Sequence, residues 1–137
     1  MKNSYKISNE ASLLQIDWVY EVLAQTEWNP ALSRTQLEKA LQHSACFGIY
    51  YQDQQVGFAR VITDYATFGY IVDLFIDAAH RHRGLANLLI EYIINHPDLQ
   101  GFSSWMVAND APNLYRKYGF VPSQTRRWMV LDRMEDA

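Results

Sequence analysis

A single cysteine, Cys46, occurs in the 137 residues, so no intramolecular disulfide can form. That usage suits a reducing compartment. No apolar run approaches the ~20 residues that a membrane-spanning helix needs. Met1-Lys2-Asn3-Ser4-Tyr5 opens no apolar stretch of the signal-peptide kind. A cytoplasmic protein without membrane contact is the expectation. Basic residues are not in excess: the formal net charge is −3, which argues against a dedicated nucleic-acid binder. Local basic pockets remain open, at Arg81 with Arg83 or at Arg116, Lys117, Arg126 and Arg127, the second group reading first as solvated surface. Repeats, linkers and low-complexity stretches are absent. The histidines, His43, His80, His82 and His96, lack metal-ligand spacing, so no metal is expected. No Ser/His/Asp or Cys/His set stands out, and Cys46, inside an apolar stretch, reads as a small core residue rather than a nucleophile.

What is present is an ordinary globular composition, 49% apolar and 14% aromatic with 20% charged residues, too apolar for disorder. A single domain spanning 1–137 is expected. Tyr5-Lys6-Ile7 reads as a short strand. Ser12 to Thr26 reads as a helix, with Ser12 and Gln15 at capping-box spacing and Leu14, Trp18 and Val22 on one face. Pro30 breaks it. A second helix runs from Ser33 to about Ser44, again with a capping box, Ser33 and Gln36. Cys46–Tyr51, Val56–Thr63 and Phe68–Ile76 then read as three strands joined by short polar turns, an antiparallel meander.

From about Gly84 to Asn95, the residues Leu85, Leu88, Leu89, Tyr92 and Ile93 make a helical core-facing stripe. His96-Pro97 ends it. Phe102–Val107 is a further strand. Asp110 can cap a helix with the early proline Pro112, and Gly119 suits its end. Arg127–Leu131 reads as a last strand. The order β-α-α-β-β-β-α-β-α-β describes an α/β chain of the α+β kind, a mixed sheet with helices on its faces.

The segment from Ile71 to Leu89 carries the first chemistry. An apolar strand runs through Asp77-Ala78-Ala79-His80 into Arg81-His82-Arg83-Gly84-Leu85-Ala86 and opens a helix. Amides at a helix start lack internal partners and point along a favourable dipole, so a phosphate can sit there. Small residues at Gly84 and Ala86 permit close approach of the backbone, and Arg81 and Arg83 add positive charge. This is neither a Walker loop nor a dinucleotide-binding Gly-x-Gly-x-x-Gly. A glycine easing a tight turn beside exposed arginines would show the same six residues.

Arg81–Ala86 resembles the Arg/Gln-x-x-Gly-x-Gly/Ala signature of the GNAT superfamily of N-acetyltransferases, with Ile76 at the family's spacing before it. Further on, Leu114-Tyr115-Arg116-Lys117-Tyr118-Gly119-Phe120 resembles the family's second hallmark, Leu-Tyr-x-x-x-Gly-Phe. The element order matches the GNAT fold over essentially the whole chain, and Val56–Phe68 is similar to a group of small bacterial members.

The resemblance implies an acetyl-CoA-dependent N-acetyltransferase. The amides around Arg83–Asn87, with Arg81, His82, Gly84, Leu85 and Ala86, would hold the CoA pyrophosphate. The main chain at Leu74, Phe75 and Ile76 would pair with the pantetheine arm, and the strands carrying Leu74 and Val107 would splay to admit the thioester. Tyr115 matches the acid that protonates the leaving thiolate, and Asn109 lies where a polar contact to the CoA arm is often placed, though its spacing to Tyr115 is shorter than the common one. Trp28 and Arg34, with Asp64, Tyr65 and Phe68, fall where the family builds its acceptor wall. The acceptor would be a primary amine on a small molecule or peptide. With one strand after Phe120, the acceptor pocket would be open or completed by a partner, so monomer and homodimer both remain.

Acyl transfer to an amine needs a neutral amine, a polarised carbonyl and a protonated leaving thiolate. A phenol, with a pKa of about 10 in model peptides, suits the last task. As base, Asp73 or Asp64 could serve if buried, or a water chain. Asp64 could equally be a turn former and Asp73 an arginine's partner. An acyl-CoA-binding or sensing module with little turnover is the competing reading.

Overall fold

The computed structural model describes residues 4–26, 31–108, 111–123 and 128–133. The expected fold class, a mixed sheet flanked by helices, is what forms. Strand β1 (Tyr5–Ser8) is followed by α1 (Ile16–Ala24) and α2 (Arg34–Gln42). The meander β2 (Ala45–Tyr51), β3 (Gln54–Thr63) and β4 (Phe68–Ile76) comes next, then α3 (Leu85–Ile94), β5 (Ser104–Val107) and the single-turn α4 (Pro112–Tyr115). The five strands lie in the order β1-β2-β3-β4-β5. All neighbours are antiparallel except β4 and β5, which run parallel because α3 carries the chain back between them.

Both faces of the sheet are covered. On one, Leu85, Leu89 and Ile93 of α3 pack on Phe47, Ile49, Val61 and Ile71. On the other, Val19 and Leu23 of α1 and Leu37 of α2 close over Cys46 and Phe58. The alternation along β2, with Phe47 and Ile49 on the α3 side and Cys46 on the other, is the period of a strand buried on both faces. Each fully buried Leu or Ile contributes about 1.5–3 kcal/mol, so the three core residues of α3 alone anchor the helix firmly.

Local signals decide some elements and lose at others. The Ser33 hydroxyl accepts from the Gln36 amide at 3.1 Å and the Gln36 side chain accepts from the Ser33 amide at 3.0 Å, so the capping box of α2 forms as expected. The same spacing at Ser12 and Gln15 does not cap a helix. A 3-10 turn occupies Ala11–Leu13, and α1 begins only at Ile16. The Gln15 side chain is drawn instead to the β2–β3 hairpin, where it accepts from the Gln55 amide at 3.0 Å and donates to the Asp53 carbonyl at 2.7 Å. Gln55 returns the bond by accepting from the Gln15 amide at 2.8 Å. A reciprocal long-range pair thus outcompetes a local cap.

The expected last strand, Arg127–Leu131, is not found. Arg127 lies outside the described residues, as does Asp110. Trp128–Leu131 form no ladder, and their side chains are largely solvent-exposed. A strand signal needs a main-chain partner to become a strand, and β5 pairs only with β4.

Two features of β4 prepare the site. First, β5 pairs with β4 from Phe68 to Ile71, and among the described residues no strand continues that ladder along Leu74–Ile76. Gly69 lets the sheets' edges close tightly there, since a Cβ would fall 2.7 Å from the Trp105 ring. Second, β3 and β4 shift register between the Phe58–Phe75 and Arg60–Val72 pairs, so Asp73 and Leu74 together face Ala59. This β-bulge puts Asp73 at φ 58°, a left-handed conformation that aspartate tolerates better than most residues.

Candidate active site

The free half of β4 forms one wall of a cleft of about 780 Å³. Its floor is the bulge, its far wall is Ala108, Ala111, Leu114 and Tyr115, and one end is closed by His80–His82 and the start of α3. The parting of β4 from β5 coincides with the cleft, and Leu74, Phe75 and Ile76 all line it.

At the closed end, Gly84 caps α3 at φ 77°, a left-handed conformation that costs glycine little. The first main-chain bond of the helix runs from Leu88 N–H to the Gly84 carbonyl, so the amides of Leu85, Ala86 and Asn87 have no partner within the helix. Gly84, Leu85, Ala86 and Asn87 all line the cleft. This is the donor set that a phosphate requires, with the dipole of a ten-residue helix behind it.

The two arginines of the loop part company. Arg81 lines the cleft, with its Nε donating to the Ile76 carbonyl at 2.9 Å and its guanidinium 5.2 Å from the centre of the Phe75 ring. Arg83 does not. Its Nη1 donates to the Tyr5 hydroxyl at 3.1 Å, toward β1. His82 lines the cleft at φ 63°.

At the other end, Tyr115 is 7% exposed and stacks edge-on against Phe120, ring centres 5.8 Å apart. Its helix neighbour Tyr118 does not enter the cleft. The Tyr118 hydroxyl donates to the Asn87 side-chain oxygen at 2.9 Å and lies 3.4 Å from Glu91 Oε1, fastening the turn after α4 to α3. Burial, then the negative charge of Glu91, raises the Tyr118 pKa above its ordinary value.

Asp73 also lines the cleft, but as the arginine partner that the sequence left open. Its Oδ2 accepts from Arg60 Nε at 3.1 Å, with 4% of the Asp73 side chain and 16% of the Arg60 side chain exposed. Arg60 Nη1 continues the chain to the Ser44 hydroxyl at 3.1 Å. Cys46 lies close by, its thiol directed at the Leu41 carbonyl at 3.6 Å. Burial pushes its pKa up to about 11, with Arg60 pulling down and Asp73 pushing up by less, so it is a protonated thiol at neutral pH.

The residues expected at the acceptor wall do not gather. Arg34 is paired with Asp17 at 2.7 Å and Glu38 at 3.6 Å, away from the cleft. Asp64 is the turn former: its carboxylate accepts from the Ala66 and Thr67 amides and the Thr67 hydroxyl, which hold its pKa well below the usual range. It is therefore no base. Tyr65 lines a separate cavity of about 120 Å³, and Phe68 lines neither. Trp28 and Asn109 lie outside the described residues. Reasoning from sequence missed Arg60, Tyr70 and His80 as cleft residues. A charged residue inside the apolar run of β3 was the signal for Arg60; Tyr70 and His80 carry none.

Comparison with known proteins now bears directly on this geometry. The family model of the acetyltransferase (GNAT) domain matches residues 42–122. The chain belongs to the GNAT acetyltransferase family. The match covers the meander, the turn Arg81–Ala86 and α4. The chain is 31% identical over 121 residues to a Gibberella zeae protein named "Putative acetyltransferase FG08082", covering 74% of this chain and 67% of that one. Among solved structures, it resembles a protein of Xanthomonas campestris pv. campestris assigned to the GNAT family, with 39% identity and a TM-score of 0.85, over 91% of this chain and 93% of that one. A Staphylococcus aureus protein, SA2161, shares the fold at 22% identity and a TM-score of 0.73, over 93% of this chain and 98% of that one. Among the described residues no group of three or more His, Cys, Asp or Glu side chains is placed to hold a metal ion, and no helix is long and apolar enough to cross a membrane.

Proposed function

We propose that the cleft binds acetyl-CoA and that the protein moves the acetyl group directly to a primary amine, on a small molecule or a peptide, in the cytoplasm. The observation that carries this is that one continuous cleft joins the three unpartnered amides of Leu85–Asn87 to a buried tyrosine, past a stretch of β4 with an open edge. The amides and Arg81 receive the pyrophosphate. The open main chain of Leu74–Ile76 pairs with the pantetheine amides. A main-chain N–H at the bulge Asp73–Leu74, which lines the cleft, is the donor assigned to the thioester oxygen, where developing negative charge is stabilised.

The chemistry balances without a covalent enzyme intermediate. The amine lone pair attacks the thioester carbon, and the collapse of the addition product breaks the C–S bond. The departing thiolate takes the phenolic proton of Tyr115. The proton lost from the new amide nitrogen passes to Asp73 or to water, and from there the phenol is restored. Positioning two reactants in one cleft supplies a large part of the rate. Cys46, protonated and turned to a carbonyl, takes no part.

Acetyl-CoA should raise the melting temperature, because a ligand that binds only the folded state adds about 2.7 kcal/mol at a hundredfold excess over its Kd. Absence of any shift would overturn the reading. A second reading, an acyl-CoA-binding or sensing module with little turnover, is favoured by one observation: the Asp73 carboxylate is already engaged by Arg60. Steady-state thiol release against pooled amines separates the two. The acceptor's identity and the choice between monomer and homodimer belong to the same proposal.

A further inference from the structure

Three side chains meet at one oxygen beside the phosphate end of the cleft. The Tyr5 hydroxyl, on edge strand β1, lies 2.8 Å from His80 Nδ1 and 3.1 Å from Arg83 Nη1. The rings of Tyr5 and His80 meet edge to face at 5.6 Å, and Tyr51, opposite Tyr5 on β2, packs against both at 5.1 and 5.2 Å. Arginine can only donate, so Arg83 occupies a lone pair of the hydroxyl. The hydroxyl's one hydrogen is then free for His80. A neutral imidazole that accepts at Nδ1 carries its proton on Nε2. His80 lines the cleft, whereas Arg83 does not.

The loop that this oxygen holds is an unusual piece of backbone. Within four residues it has His82 at φ 63° and Gly84 at φ 77°. Tyr5 grips it on both sides of His82, at His80 before and Arg83 after. We propose that Tyr5 is a positioning residue for phosphate binding. Its hydroxyl fixes the loop that aims the α3 amides and orients His80, whose Nε2–H is a further donor to the pyrophosphate of the ligand. Arg83, one of the two cationic residues of the signature, thus serves by bracing the loop rather than by touching the phosphate.

This rests on the reading of the cleft as an acetyl-CoA site, and the test keeps the two apart. The Kd for CoA is measured by calorimetry for the unaltered protein, Tyr5→Phe and Tyr51→Phe, with melting temperatures alongside. Both substitutions keep the ring, and only the first removes the shared oxygen. Tyr5→Phe should weaken CoA binding about tenfold, the scale of a single hydrogen bond, while Tyr51→Phe stays within twofold. In turnover the loss should fall on the KM for acetyl-CoA and leave kcat within twofold.

His80→Ala should weaken binding by a similar factor, His80→Gln, which retains a donor near Nε2, should recover part of it, and Tyr5→Phe added to His80→Ala should cost less than the product of the two. The His80 series decides the matter by itself if Tyr5→Phe fails to fold. Tyr5→Phe binding like the unaltered protein, equal losses in both tyrosine variants, or His80→Ala without effect would each overturn the proposal. No CoA binding by the unaltered protein would instead overturn the site reading, and this proposal with it.

Discussion

The two ends of the cleft are built from different materials. One end, at the start of α3, is main chain: a left-handed glycine, three amides with no partner inside the helix and a helix dipole, contributed by one short segment of sequence. The rest of the lining draws on side chains from separate elements, Arg60 on β3, Tyr70 and Asp73 on β4, and Tyr115 on α4. Backbone sites need a few residues of particular conformation in one place, so they leave compact signatures. Side-chain sites need only that strands bring distant positions together, so the chemistry can differ from one chain to the next while the first end stays fixed.

The largest expected effect tests the backbone end. Gly84→Glu places a β-carbon at φ 77° and a negative charge at the phosphate seat, although no neighbour lies within 4 Å to clash with it. Acetyl-CoA should then give no thermal shift in a variant that still melts cooperatively. A full shift would show that phosphate is not held there.

At the side-chain end, Arg60→Met removes one charged partner of the buried Asp73 carboxylate and should cost about 3 kcal/mol of stability, the lower part of the range for a broken buried pair because Arg60 keeps some exposure. Asp73→Asn added to it should restore part of that loss, since asparagine also accepts the left-handed conformation. Urea denaturation of the single and double variants measures both. A double variant less stable than Arg60→Met alone would contradict Arg60 as the main partner of the Asp73 charge.

A smaller effect is expected where the two ends are tied together. Tyr118→Phe removes the hydroxyl bonded to Asn87 and should cost about 1 kcal/mol or less, with kcat within a few-fold. Smallest of all is Cys46→Ala, which should keep most activity. The raised pKa means that the thiolate at pH 8 is on the order of one part in a thousand. Alkylation of the folded protein should be far slower than that of free cysteine and quicken as the pH rises toward 11. Rapid labelling at pH 8, or an acetylated Cys46 during turnover, would reopen a covalent route.

Legibility followed the same division. The turn from Arg81 to Ala86 and the capping box at Ser33 and Gln36 are local, and both could be read directly from residue spacing. Ser12 and Gln15 had that spacing too, but Gln15 was claimed by Gln55, forty positions away in sequence. Arg83 reads from its place in the turn as a phosphate ligand; only the pairing of β1 with β2 reveals that Tyr5 stands ready to take it. Arg34 and Asp64 were expected at the acceptor wall from family position, and each had a nearer partner, Asp17 for one and its own turn for the other. Trp128–Leu131 had the composition of a strand without a ladder to join.

The claim that one cleft performs direct acetyl transfer with a tyrosine acid is tested most directly by kcat for Tyr115→Phe at saturating acetyl-CoA and acceptor, beside Tyr118→Phe, with CoA affinity measured separately. Tyr115→Phe keeps the ring that packs on Phe120 and removes the hydroxyl that carries the proton. The account predicts that kcat falls by roughly 10²-fold or more while CoA affinity stays within a few-fold, and that Tyr118→Phe turns over nearly unchanged. Tyr115→Phe turning over like the unaltered enzyme, or Tyr118→Phe being the variant that fails, would contradict it.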